Sequence, residues 1–191
     1  MALVDLEARE IHVKIVYFGP ELSGKTTTLQ AIAAGVPPET RGRLESIASE
    51  SARTIFSDSL PIDFGELYGL RLHWHLYTVP GQPRLAGPRE AVLQGADGVV
   101  FVADTTPLRQ SENLTSFAEL QTLLGKQGKS AMDLALVLQA NKADLMDAVS
   151  AEHVAEVLGA AAIPAYETSA VTGAGIFDAL REVSRQITRR L

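Results

Sequence analysis

The segment GPELSGKTT, Gly19 to Thr27, holds the residue types needed to grip a cluster of negative charge. Gly19, Gly24, Lys25 and Thr26 meet the spacing G-x-x-x-x-G-K-[ST]. Glycines there let the backbone curl until its N–H groups converge on phosphate oxygens, helped by the N-terminus of a following helix. In such a loop Lys25 would neutralise the β- and γ-phosphates, and the Thr26 hydroxyl would bind Mg²⁺. Leu22, Ser23 and Thr27 complete the candidate cradle. Glu21 works against it. A carboxylate about 4 Å from a phosphate, at an effective dielectric of about 20, is repelled by about 4 kcal/mol. The bland competing reading is a glycine-rich strand-to-helix turn without a ligand.

A second motif names the base. NKAD, Asn141 to Asp144, matches N-K-x-D, whose carboxylate accepts from guanine N1–H and N2–H₂. Adenine has no such donor pair and would leave the acid unpaired. Asn141, Lys142 and Asp144 are therefore candidate base contacts. Taken alone, NKAD also reads as a polar loop with a helix cap. TSA, Thr168 to Ala170, resembles the loop whose backbone N–H meets guanine O6, which adds Ser169, Ala170 and Val171 to the candidate site.

These loops need a scaffold that brings them together. IHVKIVYF is a β-branched and aromatic run ending at Gly19, and reads as a buried strand, with a helix over Thr26 to Ala34 behind it. LRLHWHLYTV alternates, with Leu70, Leu72, Trp74 and Leu76 on one face, and TIFSDSLPIDF is expected as its antiparallel neighbour. GVVFVADT and LALVLQAN are two further buried strands, and a last one is expected around Ala165 to Glu167. Three helices are expected: one with the face Leu114, Phe117, Leu120, Gln121 and Leu124; one capped by Ser150, with Val154, Val157 and Leu158 before Gly159; and one carrying Ile176, Leu180, Val183 and Ile187. Strand alternating with helix implies a mostly parallel sheet covered on both faces, with ligands at the carboxyl ends of its strands.

Composition narrows the function classes. The 191 residues suit one domain, and 46% apolar with 21% charged residues is ordinary for a globular protein. A net charge of −6 argues against nonspecific nucleic-acid binding. The absence of cysteine removes disulfides, thiolate metal sites and thioester or prenyl anchors. No membrane-spanning run, signal pattern or Gly at position 2 is present, so a cytoplasmic protein without a stable membrane anchor is expected. Arg181, Arg185, Arg189 and Arg190 read as a solvated helix face, with contact to anionic lipid as the weaker option. His73 and His75 share a strand face, but no third metal ligand lies near them in sequence.

The remaining motif, TVPGQ at Thr78 to Gln82, stands where Ras-like GTPases carry D-x-x-G-Q, with Thr78 in place of the aspartate. That departure, together with REIHVKIVYFGPELSGKTT, RTIFSDSLPIDFGE and HLYTVPGQ, closely resembles the MglA family. These are bacterial Ras-like GTPases that set cell polarity and drive gliding or pilus-based motility. The resemblance runs from Arg9 to about Arg185. It implies a three-layer α/β P-loop NTPase fold: a Ras-like, six-stranded, mostly parallel sheet with one antiparallel edge strand, helices on both faces, and the whole of 1–191 as a single G domain. It implies GTP, GDP and Mg²⁺ as ligands.

By the same resemblance, Arg53 is an internal arginine finger and Thr54 the switch threonine that coordinates Mg²⁺ and the γ-phosphate. Gly81 senses that phosphate and Gln82 positions the attacking water. Read without the family, Arg53 and Thr54 merely begin a solvated strand. The family implies a roadblock-type activating partner, MglB, polarity and motility effectors, a chain monomeric alone, and recruitment to a cell pole through partners. Asp104 ends VVFVAD in the manner of an ATPase Walker-B strand, but the family resemblance makes it a loop or capping residue.

Two departures from the family pattern matter. Glu21 stands where glycine is usual, and PRLAGPRE after Gln82 lacks the family's aromatic residues. Slow hydrolysis is therefore expected, and a non-cycling nucleotide-binding module is the alternative.

Overall fold

The computed structural model describes residues 2–48, 55–81, 86–131 and 133–191. Arg53, Thr54 and Gln82, three of the expected site residues, lie outside the described residues. Strands are β1 (Leu3–Asp5), β2 (Glu10–Phe18), β3 (Glu45–Ala48), β4 (Ile55–Leu67), β5 (Leu70–Thr78), β6 (Gly98–Asp104), β7 (Ala135–Asn141) and β8 (Ala165–Thr168). Helices are α1 (Lys25–Gly35), α2 (Ala86–Leu93), α3 (Gln110–Lys126), α4 (Ala151–Val157) and α5 (Ile176–Thr188).

One sheet runs β3-β4-β5-β2-β6-β7-β8. The β5-β2-β6-β7-β8 part is parallel, β4 is antiparallel to β5, and β3 is antiparallel to β4. The three-layer, mostly parallel class is as expected. The sheet is wider than six strands, because β3 extends one edge and β1 pairs with the start of β2. β1 is exposed at every residue, so it carries no apolar periodicity that would betray it. The helix α2 also exceeds expectation. Pro88 is its third residue, within the first turn, where a missing N–H costs no intrahelical bond.

Two cores sandwich the sheet. On one face Val13, Ile15, Trp74, Leu76, Val100 and Val137 pack under α1 and α5. On the other Val16, Phe18, Phe101 and Leu138 meet α2, α3 and α4. The burial pattern of β2 records both: it alternates from Glu10 to Ile15, then stays buried through Phe18. β6 joins β2 only from Ile15, opposite Gly98, and in the earlier half of β2 Glu10, His12 and Lys14 are half-buried. The helix faces hold for α5, whose Ile176, Leu180, Val183 and Ile187 are all buried, and for Ser150, whose hydroxyl accepts from the His153 N–H at 3.2 Å. On α3 the face is rotated from expectation. Asn113, Ser116 and Leu123 are buried with Phe117, Leu120 and Leu124, while Leu114 is 47% exposed and Gln121 is also exposed. The C-terminal arginines pair locally, Arg181 with Asp178 and Arg185 with Glu182, as a solvated face would.

Register sets the edge where function gathers. Tyr17 lies opposite Thr78, Phe18 opposite Phe101, and Asp104 opposite Asn141, itself opposite Thr168. β2 therefore ends beside β5, and β6, β7 and β8 end level with one another a little further on, so the phosphate loop, NKAD and TSA leave the sheet on the same side. Leu76, fully buried beside Ile15 and Leu60, holds the middle of this alignment. Leu76→Ala is expected to lower unfolding stability by about 2–5 kcal/mol in urea denaturation, through lost burial and the cavity left behind.

Candidate nucleotide site

The phosphate loop closes through positive φ at three residues, Gly19, Leu22 and Gly24. Gly24, at φ 98°, is the N-cap of α1, and a Cβ there would lie 2.2 Å from Asn141 Nδ2. Leu22 takes φ 63° despite its side chain, which stands 75% exposed. No acidic residue occupies the first turn of α1, so the partial positive charge of that helix end is not answered by a neighbouring carboxylate of the turn. Lys25 is only 6% exposed, and its ammonium donates to Gly19 O at 3.0 Å and Pro20 O at 2.5 Å. Burial, with the nearby charge of Arg89, pulls its pKa down to about 7, although Glu21 and Asp58 act the other way. A buried cation whose hydrogen bonds go to carbonyl dipoles is the complement of an arriving polyanion. It borders a cavity of about 460 Å³ shared with Glu21, Thr26, Asp58, Thr78 and Gly81.

Asp58 is the residue that sequence reasoning missed. Its carboxylate accepts from Thr26 Oγ1 at 2.6 Å, Ser46 Oγ at 2.9 Å and Thr78 Oγ1 at 3.2 Å, and its own N–H donates to Thr78 Oγ1 at 2.8 Å. Thr78, where the aspartate of D-x-x-G-Q was missing, thus presents a carboxylate supplied by the adjacent antiparallel strand. A signal was available. In SDSLPI, Asp58 falls on the same alternation as Leu60 and Ile62, an acid on a core-facing stripe, and it is 6% exposed. An all-oxygen set of the Thr26 hydroxyl and the Asp58 carboxylate fits Mg²⁺, which takes one or two carboxylates and completes its shell with substrate phosphate and water.

At the base end Asn141 ties three loops together. Its Nδ2 donates to Ser23 O at 2.8 Å, and its Oδ1 accepts from the Ala170 N–H at 2.9 Å and Thr168 Oγ1 at 3.3 Å. The Ala170 N–H is thereby spent on Asn141. Lys142, at φ 72°, reaches Asp104 Oδ2 at 2.6 Å. Asp104 is buried and also accepts from the Thr106 N–H and hydroxyl. Burial alone would raise its pKa, but the bonds from Lys142 and Thr106 outweigh that and hold it below the usual carboxylate range. Asp104 is therefore a turn-capping residue bonded to Lys142, and its position gives no support to the ATPase reading. Asp144 is exposed and lines a smaller cavity with Leu22, Thr27, Lys142, Ala170 and Val171. Ser169 is buried beneath that loop, its hydroxyl accepting from the Thr172 N–H at 3.3 Å, and Ser23 is buried behind the phosphate loop.

Glu21 is exposed, and its backbone is covered from one side. A Cβ on Gly81 would come within 2.4 Å of Glu21 Cα, so only glycine allows this approach. From the other side Arg109 donates to Glu21 O at 2.9 Å. His73 and His75 do not form a metal pair. His12 stacks against both rings, its Nδ1 lies 3.0 Å from His75 Nε2, and Glu10 takes its other nitrogen. Among the described residues no group of three or more His, Cys, Asp or Glu side chains is arranged to hold an ion. Nor, among them, is any helix long and apolar enough to cross a membrane.

A family model for the ADP-ribosylation factor family covers residues 1–187. The mutual gliding-motility protein MglA of Myxococcus xanthus is 42% identical over 191 residues, 100% of this chain and 98% of that protein. ADP-ribosylation factor-like protein 6 of Caenorhabditis elegans is 27% identical over 182 residues, 93% of this chain and 87% of its own length. GTP-binding protein ypt4 of Schizosaccharomyces pombe is 28% identical over 192 residues, 97% and 76% of the respective chains. The strand-to-helix phosphate loop, the full-length match to MglA and the family model agree: this chain belongs to the MglA family of Ras-like small GTPases, which bind GTP and GDP with Mg²⁺ and hydrolyse GTP.

Proposed function

We propose that the chain works as one G domain, a Mg²⁺-dependent switch in bacterial polarity or gliding motility, with slow intrinsic hydrolysis. The motility reading comes from the likeness to the gliding-motility protein of Myxococcus xanthus. The observation that carries the mechanism is the placement of Asp58 between Thr26 and Thr78 at the mouth of the phosphate loop. In this reading Lys25 and the amides that open α1 hold the β- and γ-phosphates, and Asp144 accepts from guanine. Asn141 keeps the two ends of the pocket at a fixed spacing. Thr26, Asp58 and Thr54 hold the metal, which when bound supplies positive charge to the phosphate oxygens. Gln82 orients water, and Arg53 places a cation beside the transferring phosphoryl group. A roadblock-type activating partner of the MglB kind, effectors read through the switch segments, and a cytoplasmic chain recruited to a pole complete the proposal.

The second reading, a nucleotide binder that does not cycle, is favoured by one contact. Glu21 sits where Gly81 closes onto the phosphate loop, and its carboxylate is near enough to influence Lys25. A carboxylate there competes with the γ-phosphate for the same cations. Glu21→Gly is expected to raise the single-turnover rate of phosphate release from GTP by about tenfold or more, for a relief of about 1.4 kcal/mol at the transition state. Equal rates for variant and parent, with and without a roadblock partner, would remove Glu21 from the explanation.

The metal assignment has its own test. Asp58→Asn keeps the shape and loses the charge. It is expected to weaken GDP binding in Mg²⁺ by about 10–100-fold and to leave binding in excess chelator nearly unchanged. An identical loss in both conditions would make Asp58 a structural hydrogen-bond acceptor only.

A further inference from the structure

Arg89, on α2, is 1% exposed, and a buried guanidinium must place its N–H donors. They go to three different segments. Nε donates to Pro80 O at 2.7 Å, and one terminal nitrogen donates to Gly81 O at 2.8 Å and reaches Gly19 O at 3.4 Å. The other terminal nitrogen donates to the Glu119 carboxylate of α3. The guanidinium also lies 5.2 Å from the ring centroid of Phe18, the last residue of β2. One side chain therefore joins the segment leaving β5, the start of the phosphate loop and α3.

The segment it holds forms one wall of the nucleotide cavity. Pro80 and Gly81 line the same space as Lys25, Thr26 and Asp58. Gly81 lies against the Glu21 backbone, where a notional Cβ would come within 2.4 Å of Glu21 Cα, and Arg89 ties its carbonyl. An apolar residue would pack α2 against the sheet without the cost of burying a charge. What the guanidinium adds is a rigid fork that spans separate carbonyls, which the point charge of a lysine cannot do.

We propose that Arg89 is a positioning residue that clasps Pro80 and Gly81 against the phosphate loop and so presets the cavity wall that meets the terminal phosphate of GTP. This rests on the GTPase assignment and extends it to a residue that acts through the backbone of others. The differential consequence follows from where that wall lies. GDP lacks the phosphate that reaches it, so slackening the clasp penalises GTP more than GDP.

The test compares binding of GDP and of a non-hydrolysable GTP analogue, both with Mg²⁺, to the full chain and to Arg89→Lys and Glu119→Gln. Arg89→Lys is expected to lower the ratio of GTP-analogue to GDP affinity by about tenfold, the scale of one lost charge-assisted hydrogen bond. Glu119→Gln is expected to lower it less, in the same direction. Binding of both nucleotides by the parent protein reports on the GTPase assignment separately from the ratio. An unchanged ratio in both variants, whether both affinities fall together or neither moves, overturns the proposal and leaves Arg89 a packing residue. Should Arg89→Lys fail to fold, an unchanged ratio in Glu119→Gln overturns it alone.

Discussion

The site is organised around a buried ammonium. Lys25 has left water, and the bonds that hold it come from the carbonyls of Gly19 and Pro20, which offer dipoles but no net charge. Burial accordingly pulls its pKa down to about 7. Since the folded value lies below that of the free side chain, this lysine favours folding most above the usual lysine range. That contribution is lost as pH falls through about 7. At physiological pH the protein without nucleotide therefore holds a group whose charged form is poorly accommodated. A polyphosphate is the ligand that corrects this, and the same anion satisfies the helix end that no acidic first-turn residue answers.

The rest of the edge follows from keeping that arrangement in register. Strand register brings Thr78 beside the phosphate loop and Asn141 beneath Gly24, where the close approach admits no Cβ. Asn141 links the phosphate loop to the loop after β8 through its amide, so the loops that follow β2, β7 and β8 are tied together at one side chain. On the opposite side the chain solves the missing aspartate by geometry. An antiparallel neighbour, β4, carries Asp58 to the threonine that replaced it, and hydroxyls of Thr26, Ser46 and Thr78 fix the carboxylate. Arg89 gives the same side its third point of attachment.

Much of this was legible in the residues because it is local. The phosphate loop, NKAD and the alternation of β5 are short patterns whose chemistry depends on spacing along the chain. What escaped depends on pairing across it. Asp58 acquires its place through a hairpin register and Arg89 through the packing of α2, and neither belongs to a contiguous motif. The helical stripe holds for Phe117, Leu120 and Leu124 but not for Leu114, because Asn113 takes the inward place at the start of α3, where its side chain bonds the backbone of Asp104. β1 and β3 are short edge strands, and β1 has no buried face to leave a period. His73 and His75 share a strand face as their spacing implies, and what they meet there is His12 on the neighbouring strand, a contact no local spacing announces.

The most direct measurement is calorimetry of GDP binding to nucleotide-free protein at pH 8, in buffers of differing ionisation enthalpy. There Lys25 without a ligand is largely unprotonated, and engagement by phosphate restores its charge. Uptake of close to one proton per nucleotide, seen as a buffer-dependent heat that disappears in Lys25→Met, is the expected result. Binding heats independent of the buffer would mean that the lysine is already charged before the nucleotide arrives, and would contradict the view that burial withholds its charge until phosphate restores it.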